Sequence, residues 1–525
     1  MAILLLVSTG RAVAQIHNRD SINNRIHNIS LNLPASAIVT AYGYAARQNI
    51  LSAVNNDIFF GYWSVCADGI GFGRGNTYPS LDGHQMTDAL LWLGQVEVVK
   101  ANWVHVKKFQ RPDGQLPLAI FPSLAGQEIG PPGFRTRVDS NGGLYKHWVP
   151  GDPLRALSST TYIQNADVIY RYTQDPNWLR EHLSSVNKAA DFLVSLTTPE
   201  GKVHGAGYYL ERPARVEYDG VTQCHAVDAF RKVAALNSCT GNTQASNRYQ
   251  ALADRIEKYF QTHFWVKDHF AEYIHPQRGL IDKNGLTDTN WSALALAVAS
   301  KDQIAILWPH LKNEPLFYYG SVPTGIATHP ERYEDWEFTH NDKMDLAAMG
   351  RVWYLEAQAR ARMRDSIGLL KSIQLVCKLG RDNGYYWRER YRPDDAHGAE
   401  KYCEYPANLI RIIQRFLFGV DFNLSGALSI SPVVPDDFWQ AGFGQTLSWS
   451  KNTLSYLLRH DGMQADYSGP NTQELRVKLK KTFPKKDIRV QINDRDIEFH
   501  VEDEQIIFSI PPAKAEKPCH VEISV

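Results

Sequence analysis

Two acidic residues of this chain stand in settings where a carboxyl group could do chemistry. Asp219 lies in the run Val216-Glu217-Tyr218-Asp219-Gly220-Val221-Thr222-Gln223, and Glu404 in Tyr402-Cys403-Glu404-Tyr405-Pro406-Ala407-Asn408. Each has aromatic neighbours, and each marks the point where a long irregular stretch gives way to an apolar, helix-like segment. A pair of carboxyl groups on opposite sides of a sugar can cut a glycosidic bond. One protonates the leaving oxygen; the other activates water or attacks carbon. A separation of about 6.5–9.5 Å leaves room for water and gives inversion, whereas about 5–5.5 Å gives retention. Both residues also have a structural use: Asp219 as a helix N-cap, and Glu404 as a first-turn carboxylate favoured by the helix dipole, with Pro406 as an initiation signal. Glu217 and Glu211 are close enough in sequence to supply the acid if the helix starts elsewhere.

Other polar and aromatic residues gather at the same kind of boundary. Asp82 and His84 open one apolar segment, where they could hold sugar hydroxyls or cap a helix. Asp288, Asn290 and Trp291 open another, and Trp336-Glu337-Phe338-Thr339-His340-Asn341-Asp342 a third. Several donors and acceptors converge there with a ring, which favours sugar binding by Trp336, His340 and Asp342 over simple capping. Trp63 and Trp148 fall in irregular stretches and could be stacking platforms or loop packing. The histidines at 84, 225 and 340 never reach an HExxH spacing, so no metal and no cofactor are expected. A Gly-x-Ser-x-Gly elbow, a phosphate-binding loop and a dinucleotide fingerprint after a strand are all missing from the sequence. Gly69-Ile70-Gly71-Phe72-Gly73 has glycine spacing alone and opens no helix.

The elements that must position these residues form a regular series. His84–Gln95, Ser158–Thr173, Gly220–Ser238, Thr289–Ser300, Asn341–Glu356 and Tyr405–Phe418 are apolar on most faces and predict buried helices. Val96–Phe109, Asn177–Leu196, Asn247–Phe264, Ile304–Leu311 and Arg364–Leu379 alternate with them and carry the Lys, Arg and Glu of outward-facing helices. This alternation predicts a double-layered barrel of helical hairpins, an (α/α)6 toroid, and Ala35–Val54 could complete its outer ring. The long irregular stretches precede the buried helices, so they should gather at one mouth, against helix N-termini. Short β-branched segments separated by Gly, Pro, Asn and Asp follow Val420 and predict an antiparallel β-sandwich over 421–525, leaving 15–420 to the barrel.

Composition sets the bounds. The 525 residues are too many for one small core. Lys+Arg and Asp+Glu are both 56, so no basic excess points to nucleic acid or an anionic membrane surface. Residues 1–14 read as an apolar run ending in Ala12-Val13-Ala14, an expected signal peptide, which makes the protein secreted or periplasmic. The six cysteines form no CxxC pair, and Cys224 and Cys239 are the nearest candidates for a bridge.

The region 84–434 resembles the six-hairpin glycosidases, which include glucoamylases, trehalases, family 63 glucosidases and rhamnosidases. Tyr78-Pro79-Ser80-Leu81-Asp82, followed by Gln110-Arg111-Pro112-Asp113-Gly114-Gln115-Leu116-Pro117, is similar to their first hairpin. Tyr218-Asp219-Gly220 resembles the acid-bearing turn, with Val221-Thr222-Gln223 in place of its usual Ser-Pro-Arg continuation, and Tyr402-Cys403-Glu404-Tyr405 resembles the base motif. Phe418-Gly419-Val420 through Leu428-Ser429-Ile430-Ser431-Pro432 looks like the junction into their β-sandwich. The resemblance implies an exo-acting, inverting glycoside hydrolase with Asp219 as general acid, Glu404 as general base and an oligo- or polysaccharide substrate, an α-linked glucoside or rhamnoside. Rival readings are a phosphorylase, which needs a basic anion pocket, a polysaccharide lyase or epimerase using His225 or His340 with Arg212 and Arg215, or a carbohydrate-binding protein.

Overall fold

A computed structural model describes residues 26–130, 132–148, 151–152, 154–205, 218–319, 322–323, 332–337, 347–392 and 395–525. The expected leader 1–14 and the candidates Glu211, Glu217, His340 and Asp342 lie outside the described residues.

Short links fold successive helices back on one another. α1 (Ser36–Tyr44) stands first; α2 (Leu81–Trp92) then pairs with α3 (Val96–Lys107), α4 (Leu157–Thr173) with α5 (Pro176–Ser195), and α6 (Gly220–Cys239) with α7 (Thr243–His263). α8 (Asp288–Ala295) and α9 (Lys301–Leu311) follow, then α10 (Gly350–Arg362) with α11 (Ser366–Asp382), and α12 (Glu404–Ile412). Starts are written into the sequence: Asp175 caps α5 with Pro176 at its first position, Asn242 caps α7, and Ser300 with Gln303 forms a capping box on α9.

The even-numbered helices pack α2 to α4, α4 to α6, α6 to α8, α8 to α10, α10 to α12, and α12 back to α2. That closed ring is the inner wall of the barrel, which is why residues on every side of α4 and α12 are buried. Outer helices bury one stripe; in α5 it runs through Leu179, Leu183, Val186, Ala190 and Leu193. α1 packs on α11 and α12 and completes the outer ring. The long connections all enter at the N-terminal ends of the inner helices and therefore collect at one mouth.

The fifth inner helix departs from expectation. It starts at Gly350 rather than Asn341, because Ala348 is drawn into a bridge with Tyr391 just before it. Gly350 then packs so tightly on α12 that a Cβ there would lie 2.9 Å from the Tyr405 amide nitrogen.

After α12 the chain is sheet-rich. One sheet orders Leu31–Asn32, Phe443–Trp449, Asn452–Arg459, Gly462–Ser468, Cys519–Ser524, Arg489–Ile492 and Arg495–Asp496; another orders Val420–Phe422, Leu428–Ile430, Gln473–Val477, Gln505–Ile510 and His500–Glu502. Pairing is antiparallel except where Leu428–Ile430 runs parallel to Gln473–Val477. Leu447, Leu458, Val477, Phe508 and Val521 from both sheets join the buried cluster that also fills the barrel wall. The strand Leu31–Asn32, expected within the barrel region, instead edges the first sheet. Cys224 and Cys239 lie on one helix, about 22 Å apart along its axis, so they form no bridge, and the six cysteines are free thiols. Among the described residues, no helix is long and apolar enough to cross a membrane.

Candidate active site

Asp82 stands in the first turn of α2, partly exposed at the mouth. The Tyr402 hydroxyl donates to its Oδ1 at 2.6 Å. Burial pushes the carboxyl up to about 6; Arg351 opposes the shift and the nearby Glu404 charge adds to it. A carboxyl group so placed holds its proton further toward neutral pH than an ordinary aspartate, as a general acid must.

Glu404 opens α12, the ring neighbour of α2, and its side chain is fully buried. Arg351, in the first turn of α10, grips it with Nε at 3.0 Å and a terminal nitrogen at 2.8 Å, and the Arg351 backbone N–H donates to the other oxygen. The fork-to-carboxylate geometry fixes both groups. The absence of a side chain at Gly350 allows it, since a Cβ there would meet the Glu404 Cγ at 3.0 Å. The sequence-based expectation thus finds Glu404 grouped with Asp82, Arg351 and Tyr402.

Asp219 belongs to a different group. Tyr218–Asp219 forms a short strand opposite Tyr273–His275, and the Asp219 side chain caps α6 by accepting from the Thr222 amide at 3.3 Å and its hydroxyl at 3.2 Å. It has no solvent exposure. The adjoining Gly220 amide donates to the Glu272 carbonyl at 2.9 Å. The Glu272 carboxylate accepts from Asn284 at 2.5 Å and from the Tyr333 hydroxyl at 2.8 Å. Glu337 accepts from the Tyr273 hydroxyl at 2.6 Å and from Asn284 at 3.3 Å, and pairs with Lys283 at 3.2 Å. Two buried carboxylates bridged by Asn284 therefore stand together in the connections that precede α8 and α10 in sequence.

The remaining candidates separate by exposure. Trp63 is buried in the main core and paired with Val54, and Trp291 is wholly buried against Trp308 and Phe317, so neither offers a face to a sugar. Asp288 is likewise fully buried. Trp148 is partly exposed and stacked on His147 at 4.4 Å. Trp336 is partly exposed with the Arg278 guanidinium 4.1 Å from its ring centre. His84 points into the barrel lumen, a cavity of about 360 Å3, where its Nδ1 lies 2.7 Å from the Asn165 side-chain oxygen. Burial and Arg411 push His84 down to about 3, so it is a neutral imidazole.

Sequence reasoning did not single out Arg351, Glu272, Glu337, Asn284 or Tyr333. Glu337 lies inside the polar run Trp336–Asp342, whose density of donors and acceptors is the usable signal. Arg351 carries none, because an arginine one residue into an apolar helix reads as solvated until its partner on α12 is known.

Residues 139–304 match the family model for the bacterial alpha-L-rhamnosidase six-hairpin glycosidase domain. The alpha-L-rhamnosidase structure from Dictyoglumus thermophilum is similar with a TM-score of 0.61 at 14% identity, covering 95% of this chain and 51% of that one. A GH78 family rhamnosidase of Bacillus sp. GL1 gives 0.60 at 11% identity, covering 87% of this chain and 43% of that one. The Streptomyces avermitilis alpha-L-rhamnosidase complexed with L-rhamnose gives 0.55 at 12% identity, covering 94% and 42%. The chain spans about half the length of the solved rhamnosidases it matches. No curated protein matches its sequence. The chain carries the six-hairpin glycosidase fold, and over residues 139–304 it matches the bacterial alpha-L-rhamnosidase form of that domain.

Proposed function

We propose that the protein is an exo-acting glycoside hydrolase that removes a terminal α-L-rhamnose-type sugar with inversion, and that Asp82 is its general acid. The observation that carries the reading is a partly exposed carboxyl at an inner-helix start whose pKa is raised to about 6. Asp82 gives its proton to the glycosidic oxygen as the bond breaks, and Tyr402 holds the carboxyl in place. We assign the acid role to Asp82 rather than to Asp219, whose buried carboxyl accepts from Thr222 at the start of α6.

The base must approach from the other face of the sugar. Glu404 comes from the helix beside α2 and is bound by Arg351, whereas Glu272 and Glu337 belong to the connections that precede α8 and α10. Glu337 is the better base of the two. It pairs with Lys283 at 3.2 Å, and the ring of its neighbour Trp336 is partly exposed. Arg351 and Glu404 then act as positioning residues that set the charge around Asp82. In this reading residues 15–420 supply the catalytic barrel and 421–525 a β-sandwich packed on it.

A panel of 4-nitrophenyl glycosides, with and without inorganic phosphate, tests the proposal. Hydrolysis of the α-L-rhamnoside independent of phosphate is expected; a sugar phosphate or an unsaturated sugar as product contradicts it. Asp82→Asn should lower kcat by about 10²–10⁴-fold, and Asp219→Asn should leave it within a few-fold. Glu337→Gln should abolish turnover, while Glu404→Gln should keep measurable turnover with a displaced pH profile. The reverse pattern would return the base to Glu404.

A further inference from the structure

The loop Gly69–Gly73 takes no part in the chemistry above, yet it is built with unusual constraint. Phe72 has φ +61, the left-handed region that a bulky L-residue rarely adopts. Its surroundings over-determine that backbone. Asp68 accepts from the amides of Ile70 at 2.9 Å and Gly71 at 2.8 Å, and the Asn76 side chain donates to the Phe72 carbonyl at 2.8 Å. Gly71 lies so close to Cys66 that a Cβ would fall 2.4 Å from its sulfur. Backbone held in such a state commonly serves to aim a side chain.

The side chain so aimed is an apolar ring with 50% of its surface exposed, and Ile70 in the same loop is 47% exposed. The Phe72 ring meets Tyr78 at 5.9 Å and Tyr402 at 6.0 Å between centres, both edge-on. Tyr402 is the residue whose hydroxyl holds Asp82. Phe72 therefore stands one side chain away from the proposed proton donor, on a small shelf of rings that includes Tyr78 and, behind it, Phe121.

We propose that Phe72 is the platform for the leaving group, and that the leaving group it favours is a flat, apolar aryl aglycone. This inference rests on the hydrolase reading with Asp82 as acid. The chemistry of the ring argues for the aglycone class. Phe72 presents neither donor nor acceptor, so a sugar can offer it only a C–H face while its hydroxyls must find partners elsewhere. An aryl group loses nothing there and gains apolar burial and edge or offset ring contact. The leaving oxygen must lie at Asp82, which puts the group it carries next to the shelf.

The test compares 4-nitrophenyl and methyl α-L-rhamnosides in the parent protein, Phe72→Ala and Phe72→Trp. Expected is a fall of about five- to tenfold in the ratio of kcat/KM for the aryl over the methyl glycoside in Phe72→Ala, carried by KM, with return to within about twofold of the parent ratio in Phe72→Trp. In the unaltered protein, 2-naphthol should inhibit hydrolysis of the methyl glycoside. An unchanged ratio in Phe72→Ala, or no inhibition by naphthol, with both glycosides hydrolysed, overturns this inference and leaves the hydrolase reading standing. Hydrolysis of neither glycoside by the parent overturns both.

Discussion

Asp82 and Asp219 show how the same residue type takes different roles through its surroundings. Both start inner helices, but one carboxyl is partly exposed and the other is buried, with one oxygen accepting from the Thr222 amide and hydroxyl. Raising the Asp82 carboxyl to about 6 has a definite sign. In the role proposed for it, Asp82 acts while protonated, so kcat/KM should fall roughly tenfold per unit as pH rises beyond about 6. That limb should vanish from the residual activity of Asp82→Asn. Because the folded-state value exceeds the ordinary aspartate value, the stability linked to this group is present at low pH and declines as pH rises through about 4 to 6. Asp82→Asn should therefore melt no lower than the parent at pH 8. Asp219→Ala should instead cost about 1–2 kcal/mol, read as a lower Tm, because it removes a cap. The sequence offered Asp219 as acid or cap, and Asp82 as sugar ligand or cap. It could not choose, because exposure at the mouth depends on the fold of loops distant in the chain.

Between elements, the ring closes where α12 meets α2, and a buried charge fastens that seam. Asp88 on α2 accepts from the Arg411 Nε at 2.8 Å and from Arg415 at 2.8 and 2.6 Å, Arg411 lying on α12 and Arg415 in the helical turn Ile413–Leu417 that continues it. Burial alone would raise the Asp88 carboxyl, but the two guanidinium groups overcome it and hold it well below the usual carboxylate range. Its stabilising contribution is complete above an ordinary aspartate pKa and is lost as pH falls into strong acid. Asp88→Asn leaves two buried cations short of an anion and should cost about 3–5 kcal/mol, measured by denaturant or thermal unfolding. The helices themselves were legible from periodicity, and α2, α4, α6 and α12 begin within a few residues of their expected starts. The start of α10 was not, because a bridge to Tyr391 and close packing of Gly350 on α12 decide it, and neither leaves a local trace.

Across the whole molecule, the six inner helices form one closed ring whose starts converge on one mouth. Asp82 comes from α2; Glu272 and Glu337 stand before α8 and α10. The proposed mechanism needs an acid and a base on opposite faces of the sugar. The account predicts a single displacement by water from the face opposite the leaving group. The direct measurement is the proton NMR spectrum of the first-formed sugar during hydrolysis of an aryl α-L-rhamnoside. Initial appearance of the β-anomer, before mutarotation, is the predicted result; initial appearance of the α-anomer would mean retention and would contradict the account.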